Sequence, residues 1–332
     1  MAEMEKEVLL EGKTVLHRRK QSREREENTV SIVSSDGLAK ANWFRMMLSI
    51  PPRKQFTILQ TFTAWSAFIA YLSFGALNLV FPQIVNFALF NMKLSGRDYE
   101  YGRLVCALVT VIGFLYIVSA RSSPLVTGNG TILGTVPERL FFVPAALVWF
   151  YYQSLIPITM LAAFAFLDPA LAVATYIIWA RSTPGASLKR CFDEIACLVH
   201  PFQKPSQKWS STMTQGIGYF QLVVSLILLA KPEFARDALS LDAFKGYAQG
   251  LIAVYFMSTA VIGWLHVLGG GDGNESLPIG AVVYRLGWTV PIVSLMYCFD
   301  CIERGFALAL VVSDLMSVLL ISIPLCIELC QN

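Results

Sequence analysis

The chain has 332 residues, of which 55% are hydrophobic and only 15% are charged. Soluble domains average about 45–50% apolar and about 25% charged residues, so this composition excludes an ordinary soluble domain and indicates a polytopic membrane protein. The net charge of +3 hides an uneven distribution, because lysine and arginine crowd residues 1–54 and are thin afterwards. Such a tail is typical of a segment facing a membrane or the cytosol, and it argues against nucleic-acid binding.

The cysteines and the start of the chain carry little positive signal. Seven cysteines are scattered through predicted loops and spans, which does not predict a disulfide framework. The first residues are acidic and lack a basic segment followed by an apolar one, so we expect neither a signal peptide nor a mitochondrial presequence. Membrane insertion would then depend on the first transmembrane span itself.

Residues 1–54 are polar and predict a flexible cytosolic tail. Glu5, Leu9 and Leu10 fit the acidic dileucine pattern that sorting adaptors recognise, and an Arg-Glu-Arg sequence at residues 23–25 resembles an arginine-based retrieval signal. Close to the membrane, residues 38–50 predict a basic amphipathic helix that lies on the bilayer surface.

Eight apolar segments follow the tail, each near the ~20 residues that cross a hydrocarbon core. Their predicted bounds are 56–81, 104–120, 131–152, 156–180, 213–230, 247–268, 279–298 and 305–327. An unbroken apolar segment satisfies its backbone in lipid only as a helix. The predicted fold is therefore all-α, with eight transmembrane helices.

Two similar stretches organise the chain. VPERLFFVP leads to FLDPA in the first half, and VYRLGWTVP leads to VSDL in the second. Arg139 matches Arg285 and Asp168 matches Asp314 at one offset of about 146, and further upstream the match continues at an offset of about 150. The sequence therefore predicts an internal repeat.

We expect four regions: the tail at 1–54, a four-helix unit at 55–181, a linker at 182–212 and a second four-helix unit at 213–332. Within the linker, residues 188–199 predict an amphipathic helix that either contacts a partner or lipid, or tethers the two units. Because each unit has an even number of spans, both should point the same way, as two parallel repeats.

The positive-inside rule predicts that both termini are cytosolic, since this orientation places most of the 26 lysines and arginines on the cytosolic side. Glycosylation sequons at Asn129 and Asn274 oppose it, because they occupy equivalent loops that would then be cytosolic. We retain the charge-based orientation because its asymmetry is large. The membrane is an endomembrane or the plasma membrane.

Charged side chains inside the spans are the main candidate site. A charge at a helix centre costs about 2.5–3.5 kcal/mol on insertion, so it should face the bundle interior and have a partner. Asp168 and Asp314 lie in the fourth and eighth predicted spans, and Arg139 and Arg285 lie in the spans before them. Helical rise places Arg139 level with about residue 170 of the returning helix, which predicts an Arg–Asp ion pair in each unit.

Two interpretations of these pairs stay open. They are ion- or proton-responsive groups, or they are structural pins that neutralise buried charge. Other polar residues in the spans predict interhelical hydrogen bonds when taken singly; they are Asn78, Asn86, Gln221, Gln249 and His266. The CxxC at Cys298 and Cys301 supplies too few ligands to predict a metal site.

The sequence contains no GxSxG, HExxH or dinucleotide-binding pattern, so we predict no catalytic residue, no cofactor and no metal. The repeat and its charged pairs favour a transporter or carrier of an ion or small molecule, surrounded by the lipid bilayer. The alternative is a non-enzymatic membrane scaffold, or an assembly or trafficking factor that binds partners through its tail.

Overall fold

The computed structural model describes residues 57–83, 90–121, 130–200, 208–241, 244–273 and 276–331. All of them belong to one compact unit. Several features singled out in the sequence lie outside the described residues: the surface helix at 38–50, Glu5, Leu9, Leu10, Asn86, Asn129 and Asn274.

Eight long apolar helices run through the described residues, and each is long enough to cross a membrane. Their bounds are Ile58–Val80, Arg97–Ser119, Gly130–Tyr152, Ile158–Ser182, Trp209–Ala230, Gly246–Asp272, Ser276–Cys298 and Arg304–Glu328. The described residues contain no strand. Each predicted span corresponds to one helix, so the prediction of an all-helical, multi-pass integral membrane protein is confirmed.

The second helix starts earlier than the apolar pattern predicts, at Arg97 instead of residue 104. Its first turn contains Asp98 and Glu100. Carboxylates are favourable next to the partial positive charge of a helix amino terminus, so these residues extend the helix beyond its apolar stretch.

Two shorter helices accompany the spans. The link helix, Leu188–Val199, has the bounds predicted from the sequence, and the Ser187 hydroxyl caps it by accepting a hydrogen bond from the Arg190 N–H at 3.2 Å. A second helix, Pro232–Leu239, follows the fifth span and was not predicted. Proline is well suited to the first turn of a helix, because the missing N–H has no intrahelical partner there.

The second and sixth helices form the centre of the bundle. Within their most apolar windows, 89% and 83% of residues are buried, a larger share than in any other spanning helix of the described chain. Glycines let each central helix pack closely on the helix that precedes it in the chain. A Cβ added at Gly113 would lie 2.5 Å from the Leu72 nitrogen of the first helix, and one added at Gly263 would lie 2.8 Å from the Leu222 nitrogen of the fifth. The two central helices also contact each other directly.

Contacts between loops define one end of the bundle, which we call the loop face. The Thr159 hydroxyl donates to the Phe90 carbonyl at 2.6 Å, which joins the start of the fourth helix to the segment between the first and second helices. Arg97, at the start of the second helix, forms an ion pair with Asp300 in the loop after the seventh at 3.5 Å.

The opposite end carries the link helix, and we call it the link face. There the Thr131 hydroxyl donates to Asp272 at 2.7 Å, joining the third and sixth helices. The side chain of Leu198 in the link helix packs beside Gly130, and its carbonyl lies against Gly271. The link helix is therefore fixed to the bundle, while its residues Leu188 and Phe192 stay exposed.

Candidate functional site: two buried polar clusters

Both intramembrane arginines lie on π-helical turns, Glu138–Phe142 in the third helix and Arg285–Thr289 in the seventh. Each turn is followed by a Val-Pro step that contains Pro144 or Pro291. Proline has no N–H to continue the helical ladder, and a wider turn accommodates the break. Such π-bulges are frequent at functional sites.

The first cluster surrounds Arg139 and comes from the first four spanning helices. It consists of Tyr71, Tyr116, Glu138, Arg139 and Asp168, all at most 6% exposed. The Arg139 guanidinium carbon lies 4.0 Å from the centre of the Tyr116 ring and 5.2 Å from that of Tyr71. Aromatic faces thus provide much of the electrostatic stabilisation of this buried cation.

Hydrogen bonds connect the members of the first cluster. Arg139 Nε donates to the Tyr116 hydroxyl at 3.2 Å, and that hydroxyl donates to Glu138 Oε1 at 2.8 Å. The Tyr71 hydroxyl donates to Asp168 Oδ1. Two tyrosines therefore hold the two carboxylates of the cluster.

Arg139 and Asp168 are not in the direct contact that the sequence predicts. No ion pair within 4.0 Å joins them among the described residues. Tyr71 accounts for the difference, since its ring lies beside the guanidinium and its hydroxyl binds the carboxylate. The two charges are linked through this tyrosine.

In the second cluster, by contrast, Arg285 and Asp314 form the predicted ion pair. Arg285 Nε lies 3.3 Å from Asp314 Oδ1, and the Thr289 hydroxyl donates to Asp314 Oδ2 at 2.5 Å. Arg285 Nη1 donates to the Ala281 carbonyl at 3.0 Å, one turn earlier in the same helix. The arginine and the aspartate are 0% and 18% exposed.

A histidine and a glutamine complete the second cluster. His266 is 0% exposed, and its ring stacks on Tyr284 with 5.9 Å between centroids and 17° between planes. Its Nδ1 lies 3.0 Å from Gln221 Oε1, so two residues that were each predicted singly to make an interhelical hydrogen bond contact each other. The Arg285 guanidinium carbon also lies over the Tyr284 ring, 4.7 Å from its centre.

Sequence reasoning placed the arginines and aspartates but missed most of their neighbours. The missed members are Tyr71, Tyr116, Glu138, Tyr284 and Thr289. The predicted repeat contained a signal, because its offset of about 150 pairs Tyr71 with Gln221 and Tyr116 with His266. Polar or aromatic residues at matched positions of two spans are the pattern that identifies these clusters.

Each cluster borders a cavity. The first cavity is about 60 Å³ and is lined by Tyr71, Tyr116, Glu138 and Asp168 within an otherwise mostly apolar wall. The second is about 180 Å³, and its polar residues include Gln221, Tyr255, Tyr284, Thr289 and Asp314. For comparison, an engineered apolar cavity of about 150 Å³ binds benzene.

Several polar atoms in the clusters have no hydrogen-bond partner among the described residues. They are Glu138 Oε2, Arg139 Nη2, His266 Nε2 and Arg285 Nη2. Buried polar atoms in native proteins are nearly always hydrogen-bonded to protein or ordered water. These atoms are therefore available to water or to a ligand.

The CxxC sequence has a different environment. Cys298 is exposed, and neither it nor Cys301 is in a disulfide. Burial and the neighbouring Glu100 raise the pKa of the Cys301 thiol. A raised pKa disfavours the thiolate that metal binding and redox chemistry require. The described residues contain no group of three or more His, Cys, Asp or Glu side chains placed to hold a metal.

Comparison with known proteins gives no match: no family model, no curated protein and no solved structure is similar to this chain. Function is therefore argued from the two clusters and their cavities.

Proposed function

We propose that the protein is a membrane carrier or channel-like transporter of an ion or small molecule, with the two polar clusters as its ion- or proton-responsive sites. One observation carries the proposal: each cluster is buried among spanning helices, borders a cavity and contains polar atoms without partners. Ionisable groups inside membrane bundles commonly mark ion and proton pathways.

Reciprocal contacts support two parallel repeats as the framework of this carrier. Trp264 of the sixth helix donates from Nε1 to the Gly134 carbonyl of the third at 2.8 Å. Phe114 of the second helix packs beside Gly280 of the seventh, where an added Cβ would lie 3.6 Å from its ring. These residues match in pairs under the predicted repeat, and two-fold related units make such reciprocal contacts.

The position of the cavities favours transport over scaffolding. Val254, Met257 and Val261 of the sixth helix line the first cavity, although its polar residues, Ser258 excepted, belong to the first unit. Leu104 and Leu108 of the second helix similarly line the second cavity. Both cavities thus lie where the proposed units meet, as the substrate sites of repeat transporters do.

The proposal is tested by flux in proteoliposomes. The parent protein, Asp168→Asn and Asp314→Asn are reconstituted, and ion and proton movement is followed with entrapped indicators under imposed gradients. Asp237→Asn is the matched control, because its side chain is 68% exposed on the helix after the fifth span. We expect flux in the parent and the control, and its loss in both cluster variants.

A stability measurement on the same samples separates a lost transport group from a lost structural pin. Asparagine variants that melt like the parent but carry no flux support the proposal. Absence of flux in the folded parent across the ions tested overturns it. Tail-dependent co-purification of partners would then support the scaffold alternative.

A further inference from the structure

The two clusters differ in charge at matched positions. Glu138, next to Arg139, occupies the position that Tyr284 occupies next to Arg285. The first cluster therefore contains two carboxylates and one guanidinium, whereas the second contains one of each. With all three groups ionised, the first cluster has one uncompensated negative charge.

The uncompensated charge faces the first cavity. Glu138 and Asp168 both line that cavity, and Arg139 does not. Glu138 is 5% exposed, and its Oε1 accepts from Tyr116 while its Oε2 has no partner. Leaving an unpaired carboxylate in a low-dielectric interior is expensive, so this oxygen requires a positive partner.

We infer that the first cavity is a binding site for one small monovalent cation, either a proton or an ion of sodium's size, held chiefly by Glu138 with Asp168. A single positive charge balances the cluster. The volume of about 60 Å³ corresponds to about two water molecules, a size that suits a small ion. The inference rests on the proposed function only for the claim that the bound ion moves across the membrane.

The titratable groups around the site determine which residue a pH-dependent change in stability can be assigned to. Tyr71, Tyr116, Glu138 and Asp168, one from each helix of the first unit, line the cavity, and Arg139 lies over the rings of both tyrosines. The sixth helix adds Val254, Met257, Ser258 and Val261, none of which titrates. A pH effect that requires Glu138 is therefore assigned to this site.

The test is thermal unfolding of the full-length protein in detergent, comparing the parent, Glu138→Gln and the exposed control Asp237→Asn. Sodium chloride replaces choline chloride at constant ionic strength, and the series is repeated from pH 5 to pH 8. If sodium is the ligand, Tm rises with sodium concentration, because a ligand that binds only the folded state stabilises it. If a proton is the ligand, Tm rises as pH falls and does not respond to sodium.

Either response must disappear in Glu138→Gln and persist in Asp237→Asn. The inference is overturned if the parent responds to neither cation, or if the response survives in Glu138→Gln. If Glu138→Gln does not fold, Glu138→Asp replaces it, because it keeps the carboxylate on a shorter side chain. A midpoint of the sodium or pH response in Glu138→Asp equal to that of the parent also overturns the inference. Cation stabilisation without flux would instead reject the transport proposal and leave the site intact.

Discussion

At the scale of single residues, the clusters show two ways to bury an arginine. Arg285 is paired directly with a carboxylate, whereas Arg139 lies against two tyrosine rings. A desolvated cation gains about 2 kcal/mol or more from an aromatic face. Because the rings stabilise Arg139, Glu138 and Asp168 do not pair with it directly and instead line the cavity. The two clusters therefore differ in their chemistry.

The Arg285–Asp314 pair gives the first prediction at this scale. Arg285→Met should lower the free energy of unfolding by about 3–5 kcal/mol, because Asp314 is left buried without its cation. The double variant Arg285→Met, Asp314→Leu should recover most of this loss, because neither charge remains. Chemical denaturation in detergent micelles of the parent, Arg285→Met, Asp314→Leu and the double variant supplies the four proteins of a double-mutant cycle.

The matched control for that cycle is the exposed pair between Arg236 and Asp237, whose side chains are 49% and 68% exposed. Surface ion pairs contribute about 0–1 kcal/mol, so Arg236→Ala should change stability little. A double variant as unstable as Arg285→Met would contradict the buried-pair interpretation.

The arginines and aspartates of the site could be predicted because such residues stand out within an apolar span, whereas Glu138 was missed. Tyr71 and Tyr116 could not, since an aromatic residue in a span has the pattern of ordinary packing. The Tyr71 side chain also projects from a π-helical turn, Phe68–Ser73, which changes the direction of side chains relative to a regular helix. The direct Arg139–Asp168 contact was predicted from regular helical rise alone. The prediction was wrong because helical rise does not show that the Tyr71 side chain links the two residues.

At the scale of helices, apolar length fixed the number and placement of the spans, while their ends depended on local chemistry. The amino end of the second helix is polar, so the hydropathy pattern did not include it in the predicted span. The helix Pro232–Leu239 is short and polar, and the proline at its first position is the sequence signal for its start. Close packing between spans depends on glycines whose role appears only when the neighbouring backbone is known.

Gly113 provides the prediction at this scale. Gly113→Ala places a Cβ about 2.5 Å from the backbone nitrogen of Leu72, which cannot move without shifting the first helix. We expect a loss of about 1–3 kcal/mol in the free energy of unfolding, as in other overpacked cores. Gly216→Ala is the control, because an added Cβ there meets no atom within 4 Å.

The control should be neutral or stabilising by about 0.5–1 kcal/mol, since alanine favours a helix over glycine. Equal melting temperatures for Gly113→Ala and the parent would contradict the close packing of the first and second helices.

At the scale of the whole molecule, the two ends of the bundle carry distinguishable chemical handles. Cys197 is exposed on the link helix, and Cys298 is exposed at the end of the seventh helix, near the loop face. If the link face is cytosolic, as the positive-inside rule predicts, these cysteines lie on opposite sides of the membrane.

Single-cysteine variants test that orientation in sealed microsomal vesicles, whose cytosolic face points outward. A membrane-impermeant maleimide should label the variant that keeps Cys197 and should reach Cys298 only after detergent is added. Labelling of Cys298 alone, without detergent, would show that the protein has the opposite orientation. A mass loss on endoglycosidase treatment, absent in Asn274→Gln, should then accompany it, because the helix that precedes this sequon in the chain ends at Asp272, on the link face.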